Sequence, residues 1–281
     1  MARSFSRKSR RSASRNPRIL ITGAAGRIGQ CLAASLGKRH PLRLLVRTFD
    51  ARARRLERWG EVRAVDLADA AALKAACRGC GTVIHLAGDP RPAAKWDALL
   101  SANIMGTYQL FAAASSAGCR KVIVASSIHA VSGYPADVQI KTDDPVNPGD
   151  FYGVSKCFVE ALARFYAERR GLNVLVLRIG AFQPLSAARK AESTEMMDAF
   201  LSPDDLVHLM ECCLRDTRLR FAILHALSNN RFKRLDLSDT RELVGFRPRH
   251  DLTRENPRLR KLHLNQKVKS HSQADRKRKN P

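Results

Sequence analysis

The chain has 281 residues, 44% of them hydrophobic, and no apolar run of membrane-spanning length, which leaves room for one large globular domain and excludes an integral membrane protein built from helices. Its net charge of +24 is uneven: residues 1–18 carry seven Arg or Lys and no acid, and residues 252–281 carry ten against Glu255 and Asp275. Seven cysteines, odd in number and scattered through apolar segments, suit reduced thiols in a cytoplasmic protein, and Cys77 and Cys80 have no second pair to complete a metal site, so no metal is expected.

In chain order, strand-like and helical patterns alternate. Arg18–Thr22 predicts a strand, residues 27–38 a helix, and Leu42–Arg47 a second strand. A polar helix over about 50–59 stops at Gly60, Val62–Val65 is a short strand leading to Asp66, and 69–78 is helical. Thr82–Leu86 is the fourth strand, 93–117 a long helical region, and Val122–Ser126 the fifth strand. After a Pro- and Gly-rich loop come helix 151–170, strand Asn173–Ile179, and a loop with a weak helix over 181–202. Ser202-Pro203-Asp204-Asp205 is a helix start, with Ser as N-cap, Pro at N1 and two acids at the positive end of the dipole. That helix runs to about Arg215, followed by a strand at Phe221–Leu227 and a short helix at 238–244.

The strands are continuous apolar runs, as in parallel sheets covered by helices on both faces. Repeated β-α units predict an α/β, doubly wound (Rossmann) domain over 18–251, with a small C-terminal substrate-binding portion after 180. Basic disordered tails are expected over 1–17 and 252–281. The front tail lacks the apolar stretch of a secretory signal. Nucleic-acid contact by these tails is open on charge alone, but solvated tails are the preferred reading.

Two motifs carry the chemistry. Thr22-Gly23-Ala24-Ala25-Gly26-Arg27-Ile28-Gly29 follows the first strand and opens a helix. Gly23 permits the sharp exit from the strand, Gly26 lets backbone N–H groups approach a pyrophosphate, and Gly29 lets the helix pack closely. Tyr152-Gly153-Val154-Ser155-Lys156 opens a later helix, so Tyr152 and Lys156, four residues apart, share a face. A phenol of pKa about 10 becomes a usable base if a neighbouring ammonium lowers that value. Ser126 and Ser127 end the fifth strand, where a hydroxyl can orient a substrate oxygen. Together these motifs point to an oxidoreductase using NAD or NADP, or to a relative using the same cofactor for epimerisation or elimination.

Asp66-Leu67 and His85-Leu86-Ala87-Gly88 end strands on the cofactor side, and His85 reads as a packed strand histidine. Strand two ends in Val46-Arg47 with no acid before Asp50; Arg47 and Arg52 can pair with a 2′-phosphate, which favours NADP.

The chain resembles extended short-chain dehydrogenases/reductases over about 18–250, on TGAAGRIG (22–29), DL (66–67), HLAG (85–88), NIMGT (103–107), VASS (124–127), YGVSK (152–156) and LRIG (177–180). Within that family it is most similar to the uronate dehydrogenases, on ASSIHAVSGY (125–134), LRIGAFQP (177–184) and SPDDLV (202–207). The resemblance implies oxidation of a small sugar or sugar acid at C1 to a lactone, with NAD. It implies Tyr152, Lys156 and Ser127 as catalytic residues and Ser127 and His129 at the substrate. Gly23, Gly26, Arg27, Ile28, Gly29, Asp66, Leu67, Leu86, Ala87, Gly88, Asn103, Tyr152, Lys156 and Ile179 would line the cofactor. The family's pattern has Asn where Ile128 stands and a ribose-binding Asp where Val46 stands. Its substrate-carboxylate Arg has Arg189, Lys190 or Glu195 as possible counterparts. Helices near 101–117 and 152–170 lie where relatives dimerise, which implies a homodimer.

Overall fold

Arg18–Thr22 (β1), Leu42–Val46 (β2), Lys121–Ser127 (β5) and Asn173–Ile179 (β6) are buried along almost their whole length. Both sheet faces must therefore be covered, and alternate residues of each strand face opposite layers. Ile19, Ile21, Leu44, Ile84, Ile123 and Leu175 pack under Arg27–Leu36 (α1) and the later helix at Pro203–Arg215. Leu20, Leu45, Val83, Val122 and Val174 pack under helices on the other face, at Ala70–Cys77, Gly106–Ser116 and Phe151–Arg170. This computed structural model describes residues 17–256 and 258–259.

With Glu61–Ala64 as β3, Cys80–His85 as β4, Ala181–Phe182 as β7, Phe200–Leu201 as β8 and Phe221–Ala226 as β9, the main sheet runs β3-β2-β1-β4-β5-β6-β9, every pair parallel. The chain leaves β1 toward one edge and returns at β4 on its other side. That reversal splays the connections apart and opens a crevice beyond the carboxyl ends of β1 and β4. The expected doubly wound α/β fold is the one observed.

Several elements differ from the pattern reading. The 50–59 helix is only Ala51–Arg54 (α2). Of its surroundings only Ala53 and Leu56 are buried, too little apolar surface to hold further turns, and tight turns carry the chain to Gly60. The 93–117 helix is three pieces: Trp96–Leu99, a π-helical stretch at Leu100–Met105, and Gly106–Ser116. The wider turn faces Asn103 inward, where it is buried.

Between Gly180 and Ser202, read as loop, β7 and β8 form a second, two-stranded parallel sheet. Phe182 and Leu201 both join the main core, which is what pins these short strands. The C-terminal boundary also moves. Leu252–Glu255 is a helix capped by Asp251, and Leu252 and Leu259 pack with Ala188, Met197 and Phe200. Asn256 Nδ2 donates to Lys190 O at 2.8 Å and Ser193 Oγ at 2.9 Å, so residues 252–256 and 258–259 brace the segment between β7 and β8 instead of belonging to a tail. The expected tails over 1–16 and from 260 onward lie outside the described residues.

Candidate active site

The glycine turn is tied to the end of β4 by one hydroxyl. Thr22 Oγ1 accepts the N–H of Leu86 (3.2 Å) and of Ala87 (3.1 Å), which leaves its own proton for His85 Nδ1 at 2.7 Å. His85 Nε2–H then donates to Thr107 Oγ1 at 3.1 Å, the tautomer following from the network. Burial, helped by the Lys156 charge, brings His85 down to about 3, so it is a neutral brace, as its strand position suggested.

Gly23 has φ +65°, and a Cβ there would sit 2.8 Å from Ala87 N. At Gly29 it would sit 2.3 Å from Gly23 O, so a side chain at either position would force the turn and β4 apart. Gly26 and Arg27 are exposed at the mouth of α1, whose first turn holds no acid and no side-chain cap. Its leading amides lack intrahelical acceptors, the arrangement by which a helix N-terminus receives an anion. The cradle therefore fits a dinucleotide pyrophosphate. Ile28 is half-buried against the core.

Leu86 and Ala87 are half-buried at the crevice, and Gly88 is exposed with φ +153°. Asp66 is exposed with its carboxylate accepting Ala68 N, and Leu67 is half-buried against the core. Ile179 closes β6 and is buried. Arg47 is exposed just beyond buried Val46; nearby, Asp50 uses its carboxylate to cap α2.

Two of the expected cofactor residues carry structural bonds. Asn103 Oδ1 accepts Asp89 N at 2.7 Å while its Nδ2 donates to Asp89 O and Ser155 Oγ, fastening the post-β4 loop to the helix Phe151–Arg170. Arg27 reaches across the crevice: Nη2 donates to Phe182 O at 3.0 Å and Gln183 Oε1 at 2.5 Å. The glycine loop is thus joined to the second sheet.

The chemical groups converge at the carboxyl end of β5. Lys156 Nζ donates to Ala125 O at 3.0 Å and lies 5.5 Å from the centre of the Tyr152 ring. The His129 ring meets Tyr152 edge-on, centroids 5.3 Å apart. Ser127 Oγ accepts His129 N at 3.2 Å, opening a 3-10 turn at Ile128–Val131. The chain can make that turn against the helix because residue 153 is Gly: a Cβ there would stand 2.2 Å from His129 O.

The phenol's acidity departs from expectation. Burial pushes Tyr152 up to about 12; a hydrogen bond from Ser127 opposes this, and the Asp150 and Asp89 charges reinforce it. Lys156 is itself brought down to about 8 by burial, with the Glu160 carboxylate pulling the other way. In the resting site, desolvation outweighs any help the ammonium gives the phenolate.

Three side chains at the site, Asp150, Glu160 and Arg178, were not singled out by the sequence. Asp150 caps the helix through Gly153 N (2.7 Å), and its other oxygen takes His129 Nδ1–H at 2.8 Å. An acid one residue before a helix start is a signal that could have found it. Glu160 and Arg178 form a buried bidentate pair, both bonds 3.0 Å. Their only sequence mark is that Glu160 continues the Tyr152–Lys156 face. Arg189 and Lys190 are exposed at the end of the short helix Leu185–Ala188, and Glu195 is exposed in the following 3-10 turn.

The family described as the NAD dependent epimerase/dehydratase family matches residues 19–202. The NAD-dependent glucose-6-phosphate dehydrogenase of Haloferax volcanii is 34% identical over 82% of this chain and 92% of its own. The L-arabinose 1-dehydrogenase (NAD(P)(+)) of the same organism is 34% identical over 83% and 96%. The crystal structure of a tyrosine-to-alanine variant of uronate dehydrogenase from Agrobacterium tumefaciens, complexed with NAD, superposes with a TM-score of 0.76 at 29% identity, covering 89% of this chain and 91% of that one.

Proposed function

From the premise that the chain belongs to the NAD dependent epimerase/dehydratase family, we propose that it is an NAD(P)-dependent dehydrogenase that oxidises the C1 hydroxyl of a small sugar or sugar acid to the lactone. The observation that carries this reading is the convergence of Tyr152, Ser127 and His129 beside Lys156 at the end of β5, with only β4 between that strand and β1, which leads into the glycine cradle. When bound, the oxidised nicotinamide supplies the hydride acceptor and a local positive charge. Tyr152 would act as the phenolate, Oη taking the proton of the sugar hydroxyl and so returning to the phenol that burial favours in the resting site. Ser127 and His129 hold the reacting oxygen, and Lys156 offers N–H donors to the cofactor ribose.

Arg47 and Arg52, exposed beyond β2 where a carboxylate would repel a 2′-phosphate, support use of NADP alongside NAD. Exposed Trp96, Leu100, Met105 and Tyr108, with Phe151, Val154 and Phe165 on the helix Phe151–Arg170, support a homodimer through these faces, which light scattering tests. No helix among the described residues is long and apolar enough to cross a membrane; the seven unbridged thiols support a cytoplasmic setting.

The test is a panel of galacturonate, glucuronate, glucose 6-phosphate and neutral aldoses against each cofactor, followed by absorbance of the reduced cofactor. Reduction with at least one sugar is the expected result. Cofactor that stays bound and is never net-reduced, while the sugar changes configuration, would replace this reading with epimerisation.

A further inference from the structure

Lys156 stands four residues before Glu160, so the two share one face of the helix Phe151–Arg170 as neighbouring turns. Both are buried. Glu160 accepts three hydrogen bonds. Its Oε1 accepts Ser126 Oγ–H at 2.7 Å and Arg178 Nε–H at 3.0 Å, and its Oε2 accepts Arg178 Nη2–H at 3.0 Å. Arg178, 1% exposed, is steadied in turn: its Nη1 lies 3.5 Å from His225 Nε2, and His225 Nδ1–H donates to Asp236 O at 2.7 Å. Burial holds His225 down to about 4, so it is neutral and the row holds one cation for one anion.

A buried ion pair adds little net stability over well-packed apolar side chains of the same volume. Its placement matters more. Ser126, which the pair grips, lies between Ala125, whose carbonyl holds Lys156, and Ser127, whose hydroxyl meets Tyr152. The titratable groups acting on Lys156 are Tyr152 and Glu160 on its own helix and neutral His85 from β4; β5 offers only the Ala125 carbonyl and serine hydroxyls; Asp89 and Asp150 act on Tyr152. Glu160 is thus the anion next to the lysine in this buried pocket.

We infer that Glu160, clamped by Arg178 and Ser126, is a positioning residue that keeps the Lys156 ammonium charged and aimed at the β5 end beside Tyr152. Its importance for turnover rests on the reaction proposed above, but the charge of Lys156 does not. Burial alone disfavours an ammonium, and a neighbouring carboxylate opposes that loss. Glu160→Gln removes the carboxylate and leaves Arg178 as an uncompensated cation in the same pocket.

The test is titration of the full-length, resting protein labelled with carbon-13 at lysine Cε, the Lys156 resonance being assigned by its loss in Lys156→Arg. In Glu160→Gln the midpoint falls by about one pH unit or more. The double variant Glu160→Met with Arg178→Met removes both charges without stranding either, a change that buried pairs often tolerate. Its midpoint lies below wild type and above Glu160→Gln, which keeps the test decisive if the single variant fails to fold. Ser126→Ala, which retains the carboxylate, stays with the wild type. In steady-state kinetics the alkaline fall of kcat sets in at lower pH in Glu160→Gln by the same interval. A pair that only braces the fold would lower Tm and leave the midpoint where it is. An unmoved midpoint in either folded variant, or an unmoved alkaline limb, overturns the inference. An inactive wild type with a shifted midpoint overturns only the proposed reaction.

Discussion

Replacing Asp150 separates two jobs done by one carboxylate. One oxygen caps the helix Phe151–Arg170 through Gly153 N at 2.7 Å, and the other holds His129 Nδ1–H at 2.8 Å, in a side chain 4% exposed. Asp150→Ala deletes both. Loss of an N-cap costs about 1 kcal/mol, and loss of a hydrogen bond to a charged group about 1.5–3 kcal/mol, together about 2.5–4 kcal/mol. For a domain of this size each kcal/mol moves Tm by about 2–4 °C, so Tm falls by about 5–16 °C. Asn also caps a helix, but its single amide oxygen cannot stand in for both carboxylate oxygens, so Asp150→Asn keeps the cap and gives up the bond to His129 Nδ1–H, at a cost of about 1.5–3 kcal/mol. Without an acceptor at Nδ1, His129 loses its fixed tautomer and orientation, and kcat/KM with the best sugar falls about 10–100-fold, the equivalent of about 1.4–2.7 kcal/mol. Calorimetry and initial rates on the two variants decide the matter. Equal Tm values for Asn and Ala would refute the capping role, and full activity in Asp150→Ala would refute the hold on His129.

Tyr152→Phe abolishes turnover while cofactor binding, followed by quenching of protein fluorescence, persists; turnover surviving in this variant would remove Tyr152 as the base. Gly23→Ala drives a methyl to 2.8 Å from Ala87 N at φ +65° and costs dinucleotide affinity about 100-fold by calorimetric titration, whereas unchanged affinity would mean the turn is not the cradle. Arg47→Ala lowers kcat/KM for NADP by about tenfold and leaves NAD unaffected; equal losses with both cofactors would dismiss the 2′-phosphate contact. His85 and His225 are held neutral in the fold, at about 3 and about 4 against an ordinary 6.5, so the unfolded chain takes up their protons first. Stability is therefore full above pH 6.5 and declines as pH falls, by about 1.4 kcal/mol per pH unit for each histidine. Urea midpoints that match at pH 7 and pH 5 would contradict this.

What the amino-acid order determined alone is what depends on near neighbours. An apolar run followed by Gly23, Gly26 and Gly29 specifies strand, turn and helix within a dozen residues, because φ, close approach and helix packing are local demands. Tyr152 and Lys156 share a face by helical spacing, and alternation of strands with helices was enough for the doubly wound sheet. Tertiary structure decided everything set by summed burial or by partners far along the chain. The phenol is raised and not lowered because desolvation is a property of the assembled pocket, invisible in a four-residue spacing. Arg27 serves the second sheet because Phe182, 155 residues on, happens to end beside it. Arg178 finds Glu160, and Leu252 finds Ala188, Met197 and Phe200, only once the strands are ordered. Charge patterning marks such side chains as surface groups until the fold supplies the buried partner that each one needs.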